Sequence, residues 1–193
     1  MRGGIDTPGR PEKIKLQLPA DVRIEAAPEG MTISELLDRG EIDGFIAPRP
    51  PNAAALRNPA IGWLYDDPTA AAKDYYRRTG IFPIMHVLAV RKTLAEQQPW
   101  LPMALLKAFT QAKALALEAL ADTSATKVTL PFVEEQLKAA RETLGEDYWS
   151  YGVAPARRTL EAFVRHHHLQ GLSARPLSVD EIFHPATYES YSI

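Results

Sequence analysis

The 193-residue sequence contains no cysteine, and this absence removes several classes of chemistry. Without cysteine the chain has no disulfide framework, no thiolate nucleophile and no cysteine-based metal site. The formal net charge of −2 provides no basic field that would favour nucleic acid or an anionic membrane surface. The sequence also lacks an apolar run of membrane-spanning length and a signal-peptide core. We therefore expect a cytoplasmic protein whose partners include neither nucleic acid nor membrane.

Signatures of nucleotide and acyl-transfer chemistry are missing as well. The sequence shows no Gly-rich phosphate loop, no nucleophile elbow and no Ser/His/Asp set. Three consecutive histidines, His166 to His168, point in three directions on a helix and cannot share one ion well, because helical ligands need a spacing of three or four residues. We therefore predict surface histidines and no metal site. No cofactor is predicted, although an assisting divalent metal stays open.

What the chain does contain is a pattern that predicts an α/β fold. Asp21–Pro28 alternates apolar and polar residues like a strand, and Ile42–Ala47 is a second short strand. Between them Thr32 and Glu35 form a capping box that begins a helix, which Gly40 ends. A strand–helix–strand unit of this kind implies a parallel sheet.

The rest of the chain adds strands and then mainly helices. Ile61–Tyr65 predicts a strand. The apolar run Pro83–Arg91, bounded by Gly80 and a proline, is typical of a strand buried on both faces of a parallel sheet. Helices are predicted over 69–78, 101–122, 132–144 and 155–169, with a short helix or turn over 179–188. These strands are too few for a complete sheet, so we expect part of something larger or half of an assembly.

Several segments together carry a resemblance to a known family. They are residues 29–44, Tyr75–His86, Gln98–Leu101 with the helix residues 105–109, and Tyr151–Phe163. In this order and spacing, over Pro11–Thr187, they resemble the 4,5-dihydroxyphthalate decarboxylase family, which is similar to type II periplasmic solute-binding proteins. The resemblance implies a partial fold of that type, with a parallel or mixed sheet, helices and a helical C-terminal third.

The resemblance also implies a division of the chain between two lobes. The family's N-terminal portion has no counterpart here, so we expect part of the N-terminal lobe to be missing. Residues 1–55 would complete the second lobe, and residues 56–193 would return to the first lobe as a mostly helical portion. Such a chain would need the missing lobe, form a homo-oligomer that covers its sheet edge, or lack activity.

His86 is the candidate catalytic residue, because an ionisable group inside a buried strand needs a partner or a task. The alternative is a core histidine hydrogen-bonded to a backbone carbonyl. Arg49, between prolines after a strand, offers a planar fork for a carboxylate, or is simply an exposed loop arginine. Tyr76 and Arg77, before Gly80, and Phe82, after it, are the other candidate substrate contacts. A solvated helix end is the alternative for Tyr76 and Arg77.

The resemblance implies a lyase acting on a small aromatic dicarboxylate. It would convert 4,5-dihydroxyphthalate to 3,4-dihydroxybenzoate and carbon dioxide, without oxidation, in phthalate breakdown. His86 would protonate the ring, Arg49 would hold the remaining carboxylate, and Phe82 would line an apolar wall. The alternatives are a receptor-like module that binds a small organic anion, and an inactive truncated remnant. The segment Trp149–Gly152 is interpreted as core aromatics, and Arg157 and Arg158 as a solvated face.

Overall fold

A computed structural model describes residues 1–9, 16–124 and 127–188 of the chain, which are 47% helical with 1% strand. The helices, in chain order, are α1 Ile33–Asp38, α2 Ala53–Arg57, α3 Pro68–Thr79, α4 Lys92–Gln97, α5 Leu101–Ala121, α6 Val133–Leu144, α7 Val153–Leu169 and α8 Val179–Ile182, followed by a 3-10 turn, Pro185–Thr187. Helices α2 and α4 were not predicted. Within the described ranges no helix is long and apolar enough to cross a membrane.

The predicted α/β fold, a partial type II periplasmic-binding-protein-like sheet with helices, is wrong, because the described residues form no sheet. The predicted strands Ile42–Ala47, Ile61–Tyr65 and Pro83–Arg91 are irregular. The predicted strand Asp21–Pro28 retains only an isolated parallel bridge between Ala26 and Arg2. A strand persists only where a neighbour pairs with its backbone, and apolar patterning alone does not reveal whether that neighbour exists.

The first of two compact units comprises Met1–Pro68 and Leu169–Ala174, and it contains α1. The predicted capping box is confirmed: the Glu35 amide donates to Thr32 Oγ1 at 3.2 Å, and the Thr32 amide donates to Glu35 Oε2 at 2.8 Å. Leu36 is fully buried, and α1 packs against α2. The buried Ser34 hydroxyl donates to Asp6 Oδ1 at 2.9 Å, so its polar group is not left unsatisfied.

The second unit comprises Thr69–His168 and the chain from Arg175 onward, described to residue 188. Its core is built on one face of α7, where Val153, Leu160 and Val164 pack with Val179 of α8. Their spacing of seven and four residues keeps them in one row along the helix. The long helix α5 packs against α6 and the 3-10 turn. The assignment of residues 1–55 and 56–193 to two lobes stays a prediction.

Candidate functional site

His86 lies in the irregular segment that follows α3, and it is exposed. Its neighbours Met85 and Val87 expose 74% and 65% of their surface, so the expectation of a buried strand around this histidine is wrong. The alternative of a core histidine fails for the same reason. An exposed imidazole is accessible to a dissolved ligand, and the catalytic role of His86 stays a prediction.

Arg49 lies in the first unit, in an irregular proline-flanked segment, and its side chain is exposed. Because Ile42–Ala47 is not a strand, Arg49 does not follow the carboxyl end of one, and that part of the reasoning was wrong. The other predicted contacts, together with His86, belong to the second unit. A carboxylate-binding role for Arg49 stays a prediction that no contact in the structure addresses.

Tyr76 and Arg77 lie in the last turn of α3, where the helix ends in a left-handed glycine. Gly80 has φ +63° and its amide donates to the Tyr76 carbonyl at 2.7 Å, a helix end that favours glycine. Arg78 Nε donates to Asp74 Oδ2 at 2.8 Å along the helix. Arg77 is exposed and makes no ion pair with the described part of the chain, so it is the arginine that remains available here.

Phe82 is the predicted site residue that the structure brings against another aromatic ring. Its ring meets the ring of Trp149 edge to face, with 5.5 Å between centroids and an interplanar angle of 72°. Both rings are partly exposed, which corrects the interpretation of Trp149 as a core residue. An edge-to-face pair of this kind holds both rings in a preferred geometry and leaves part of each ring exposed.

Lys113 on α5 holds the segment that carries Trp149, and the sequence analysis missed it. Its side chain is only 13% exposed, and Nζ donates to Asp147 Oδ1 at 2.6 Å and to the Trp149 carbonyl at 3.1 Å. Nζ also lies 5.1 Å from the centroid of the Tyr151 ring, within cation–π range. The available signal was a lone lysine in an apolar stretch of helix, Ala112 to Leu117, which usually marks a charge with a partner.

The two neighbouring arginines of α7 have different surroundings. Arg157 donates to Asp180 Oδ1 at 2.8 Å, and this hydrogen bond raises the pKa of its guanidinium. Arg158 instead lies against the backbone of Gly80: a β-carbon at position 80 would be 3.1 Å from Nη1 and 3.4 Å from Cζ of Arg158. The structure therefore places an exposed guanidinium at the helix end that leads into Phe82.

The remaining candidate features of the structure lie apart from the predicted site residues. The ranges described by the structure contain no group of three or more His, Cys, Asp or Glu residues that could hold a metal ion. His167 lies with its ring 5.7 Å from that of Phe163. A cleft of about 450 Å³ is lined by residues of α5 and α6 and by Glu146, and none of the predicted site residues lines it.

Comparison with known proteins adds two relatives, while no protein-family model matches the chain. The chain is 54% identical over all 193 residues to a 4,5-dihydroxyphthalate decarboxylase of Comamonas testosteroni, of which it spans 58%. It is 49% identical over 77 residues, 40% of the chain, to a 4,5-dihydroxyphthalate decarboxylase of Pseudomonas putida, of which this match spans 30%. The resemblance predicted from the motifs is confirmed, and the share covered is consistent with a C-terminal part.

Proposed function

We propose that the chain acts in the non-oxidative decarboxylation of an aromatic dicarboxylate, converting 4,5-dihydroxyphthalate to 3,4-dihydroxybenzoate and carbon dioxide in phthalate breakdown. The observation that carries the proposal is the 54% identity over every residue of the chain to a protein of that name. The chain spans 58% of the length of that protein, so the activity is proposed here from a partial match.

The reaction consumes one proton and releases one carbon dioxide. A proton is added to the ring carbon that bears the leaving carboxylate, while the hydroxyl para to that carbon donates electron density into the ring. The carbon–carbon bond then breaks, its electron pair restores the aromatic ring, and carbon dioxide leaves. Such a mechanism needs a proton donor, a cation for the carboxylate that stays and an apolar surface beside the ring.

The second unit carries side chains of each of these kinds. His86 is the proposed proton donor, because imidazole donates and accepts protons near neutral pH. The rings of Phe82 and Trp149 supply the apolar surface, and Lys113 fixes the segment that holds Trp149. Tyr76 and Arg77 are proposed as further substrate contacts at the end of α3.

The proposal is tested by supplying 4,5-dihydroxyphthalate to the chain and measuring carbon dioxide and 3,4-dihydroxybenzoate. Phthalate is the matched control ligand, since it keeps both carboxylates but lacks the electron-donating hydroxyl and should bind without releasing carbon dioxide. The His86→Gln variant should bind phthalate like the unmodified chain and lose about 100-fold or more in turnover. The same substitution is made at the matched position of the Comamonas testosteroni relative. Unchanged turnover in both proteins would refute the role of His86.

A binding module for a small organic anion is the second candidate function. The observation that favours it is the pair of exposed arginines, Arg77 and Arg158, which can hold an anion without any chemistry. Phthalate binding with no carbon dioxide release from 4,5-dihydroxyphthalate would select this function. Loss of both binding and release would select the inactive remnant.

Three further properties belong to the proposal and have their own measurements. A cytoplasmic location is tested by fractionation of the source cells. A homo-oligomer is tested by light scattering of the purified chain. An assisting divalent metal is tested by turnover before and after chelation, where an unchanged rate supports a reaction that needs no metal.

A further inference from the structure

The contact between Arg158 and Gly80 joins two of the segments of the second unit that carry the resemblance, Tyr75–His86 and Tyr151–Phe163. The guanidinium lies so close to the Gly80 backbone that a β-carbon there would be 3.1 Å from Nη1. Gly80 also has φ +63°, a left-handed conformation that residues with a β-carbon rarely adopt. The conformation of position 80 therefore favours glycine, and the missing β-carbon also leaves room for the guanidinium of Arg158.

Within the part of the chain that the structure describes, the charge of Arg158 has no partner, whereas its neighbour on α7 has one. Arg157 is held by Asp180 at 2.8 Å and by Glu161 at 4.0 Å. Arg158 is exposed and makes no hydrogen bond or ion pair with the residues that the structure describes. A guanidinium carries five hydrogen-bond donors in a fixed planar arrangement that matches a carboxylate. Since none of these donors of Arg158 is used by the described residues, they are available to an anionic ligand.

The aromatic pair begins two residues after the glycine that Arg158 contacts. Phe82 follows Gly80 by two residues, and two Cα–Cα steps limit the distance between their Cα atoms to about 7.6 Å. The Phe82 ring is paired edge to face with Trp149. An aromatic carboxylate requires a planar cation donor and an apolar surface, because the ring packs on that surface while the carboxylate accepts hydrogen bonds from the guanidinium.

We propose that Arg158, seated on the backbone of Gly80, binds a ring carboxylate of an aromatic dicarboxylate whose ring packs against Phe82 and Trp149. The inference rests on the proposed function and adds to it a residue that the sequence analysis assigned to a solvated face. Helix α7 presents Arg158 from a rigid element, since Val153, Leu160 and Val164 of the same helix are buried in the core of the unit. The backbone of Arg158 is therefore fixed before the ligand binds, while its exposed side chain becomes ordered on the ligand.

The test compares Arg158→Gln, Arg158→Lys and the matched control Arg165→Gln in the full chain. Arg165 lies on α7 seven residues further on, so it occupies the same side of the helix two turns away and carries the same charge. Binding of phthalate and of catechol, which has no carboxylate, is measured by isothermal titration calorimetry. Circular dichroism confirms that each variant has the helix content of the unmodified chain, which is expected since both arginines are exposed.

Loss of a hydrogen bond to a charged group should weaken phthalate binding by about tenfold or more in Arg158→Gln. Arg158→Lys should recover part of that loss because it keeps the charge, and Arg165→Gln should stay within about twofold. Catechol binding should be the same in all four proteins, which a merely structural role of Arg158 would not produce. Equal phthalate affinity in Arg158→Gln and the unmodified chain, with carbon dioxide release intact, overturns the inference alone. Absence of phthalate binding and of carbon dioxide release in the unmodified chain overturns both this inference and the proposed function.

Discussion

Replacing Gly80 by alanine tests whether the close approach of Arg158 to the Gly80 backbone contributes to ligand binding. Gly40→Ala is the control. Gly80 and Gly40 have similar left-handed backbones, with φ +63° and φ +69°. Each alanine should therefore cost about 1 to 2 kcal/mol of unfolding free energy, the penalty of a β-carbon in that conformation. A β-carbon at position 40 meets no heavy atom within 4 Å, whereas one at position 80 lies 3.1 Å from Arg158 Nη1.

Ordinary contacts are about 3.5 to 4.0 Å, so Gly80→Ala must displace the guanidinium by roughly 0.5 Å. The end of a flexible side chain moves at little cost, so urea unfolding should show similar losses of stability for the two variants. Phthalate affinity should separate them, since bidentate hydrogen bonds depend on donor placement. We expect a loss of about threefold or more in Gly80→Ala and none in Gly40→Ala.

A double variant shows whether Gly80→Ala weakens phthalate binding by displacing Arg158. If Gly80→Ala acts by moving Arg158, then adding it to Arg158→Gln should not weaken phthalate binding further, because the donor that it displaces is already gone. Equal phthalate affinity in Gly80→Ala and Gly40→Ala, or full additivity in the double variant, would show that the close approach of Arg158 to the glycine has no part in binding.

The remaining predictions concern stability. Leu36→Ala should cost about 3 kcal/mol of unfolding free energy in urea titrations, since Leu36 is 0% exposed, while Leu64→Ala, at an 89% exposed position, should cost under about 0.5 kcal/mol. The hydrogen bond from Arg175, followed by those from Ser178, lowers the pKa of Glu181 from 4.5 to about 2. This stabilisation is fully present above pH 4.5 and is lost as the pH falls toward 2. The difference in Tm between the unmodified chain and Glu181→Gln should therefore close over that interval, and a difference that stays constant would contradict the assignment.

The helices that were predicted correctly have signals that lie within one turn of the chain. The capping box of Thr32 and Glu35 places the start of α1, and Gly145 ends α6 as expected, its amide bonded to the Arg141 carbonyl at 2.8 Å. Each signal is a side-chain or backbone contact between residues three or four apart. A short stretch of sequence therefore contains both partners of the contact. The limits of α5 follow in the same way from Trp100 before it and the apolar face within it.

The strand predictions failed because a strand pairs with a segment that is distant in the sequence. Pro83–Arg91 has the composition of a buried strand, yet the structure leaves its apolar side chains exposed and its backbone irregular. Apolar composition states what a segment prefers to bury, but a sheet requires a second segment at hydrogen-bonding distance. The same limitation explains why Lys113 and Arg158 were missed as site residues, since their contacts lie 34 and 78 residues away, at Asp147 and Gly80.

The contrast between Arg158 and His86 indicates that ligand binding and proton transfer can be separated experimentally. Arg158 is carried by a helix whose opposite face is packed in the core, so the position of its backbone exists before the ligand arrives. His86 is in an irregular segment with exposed apolar neighbours, and covering those side chains with a ring lowers the free energy of the complex. Arg158 variants should therefore lower affinity for phthalate, while His86 variants should bind phthalate normally and fail in release of carbon dioxide. Parallel loss of affinity in both sets of variants would mean that the segment of His86 helps to hold the ligand rather than to protonate it.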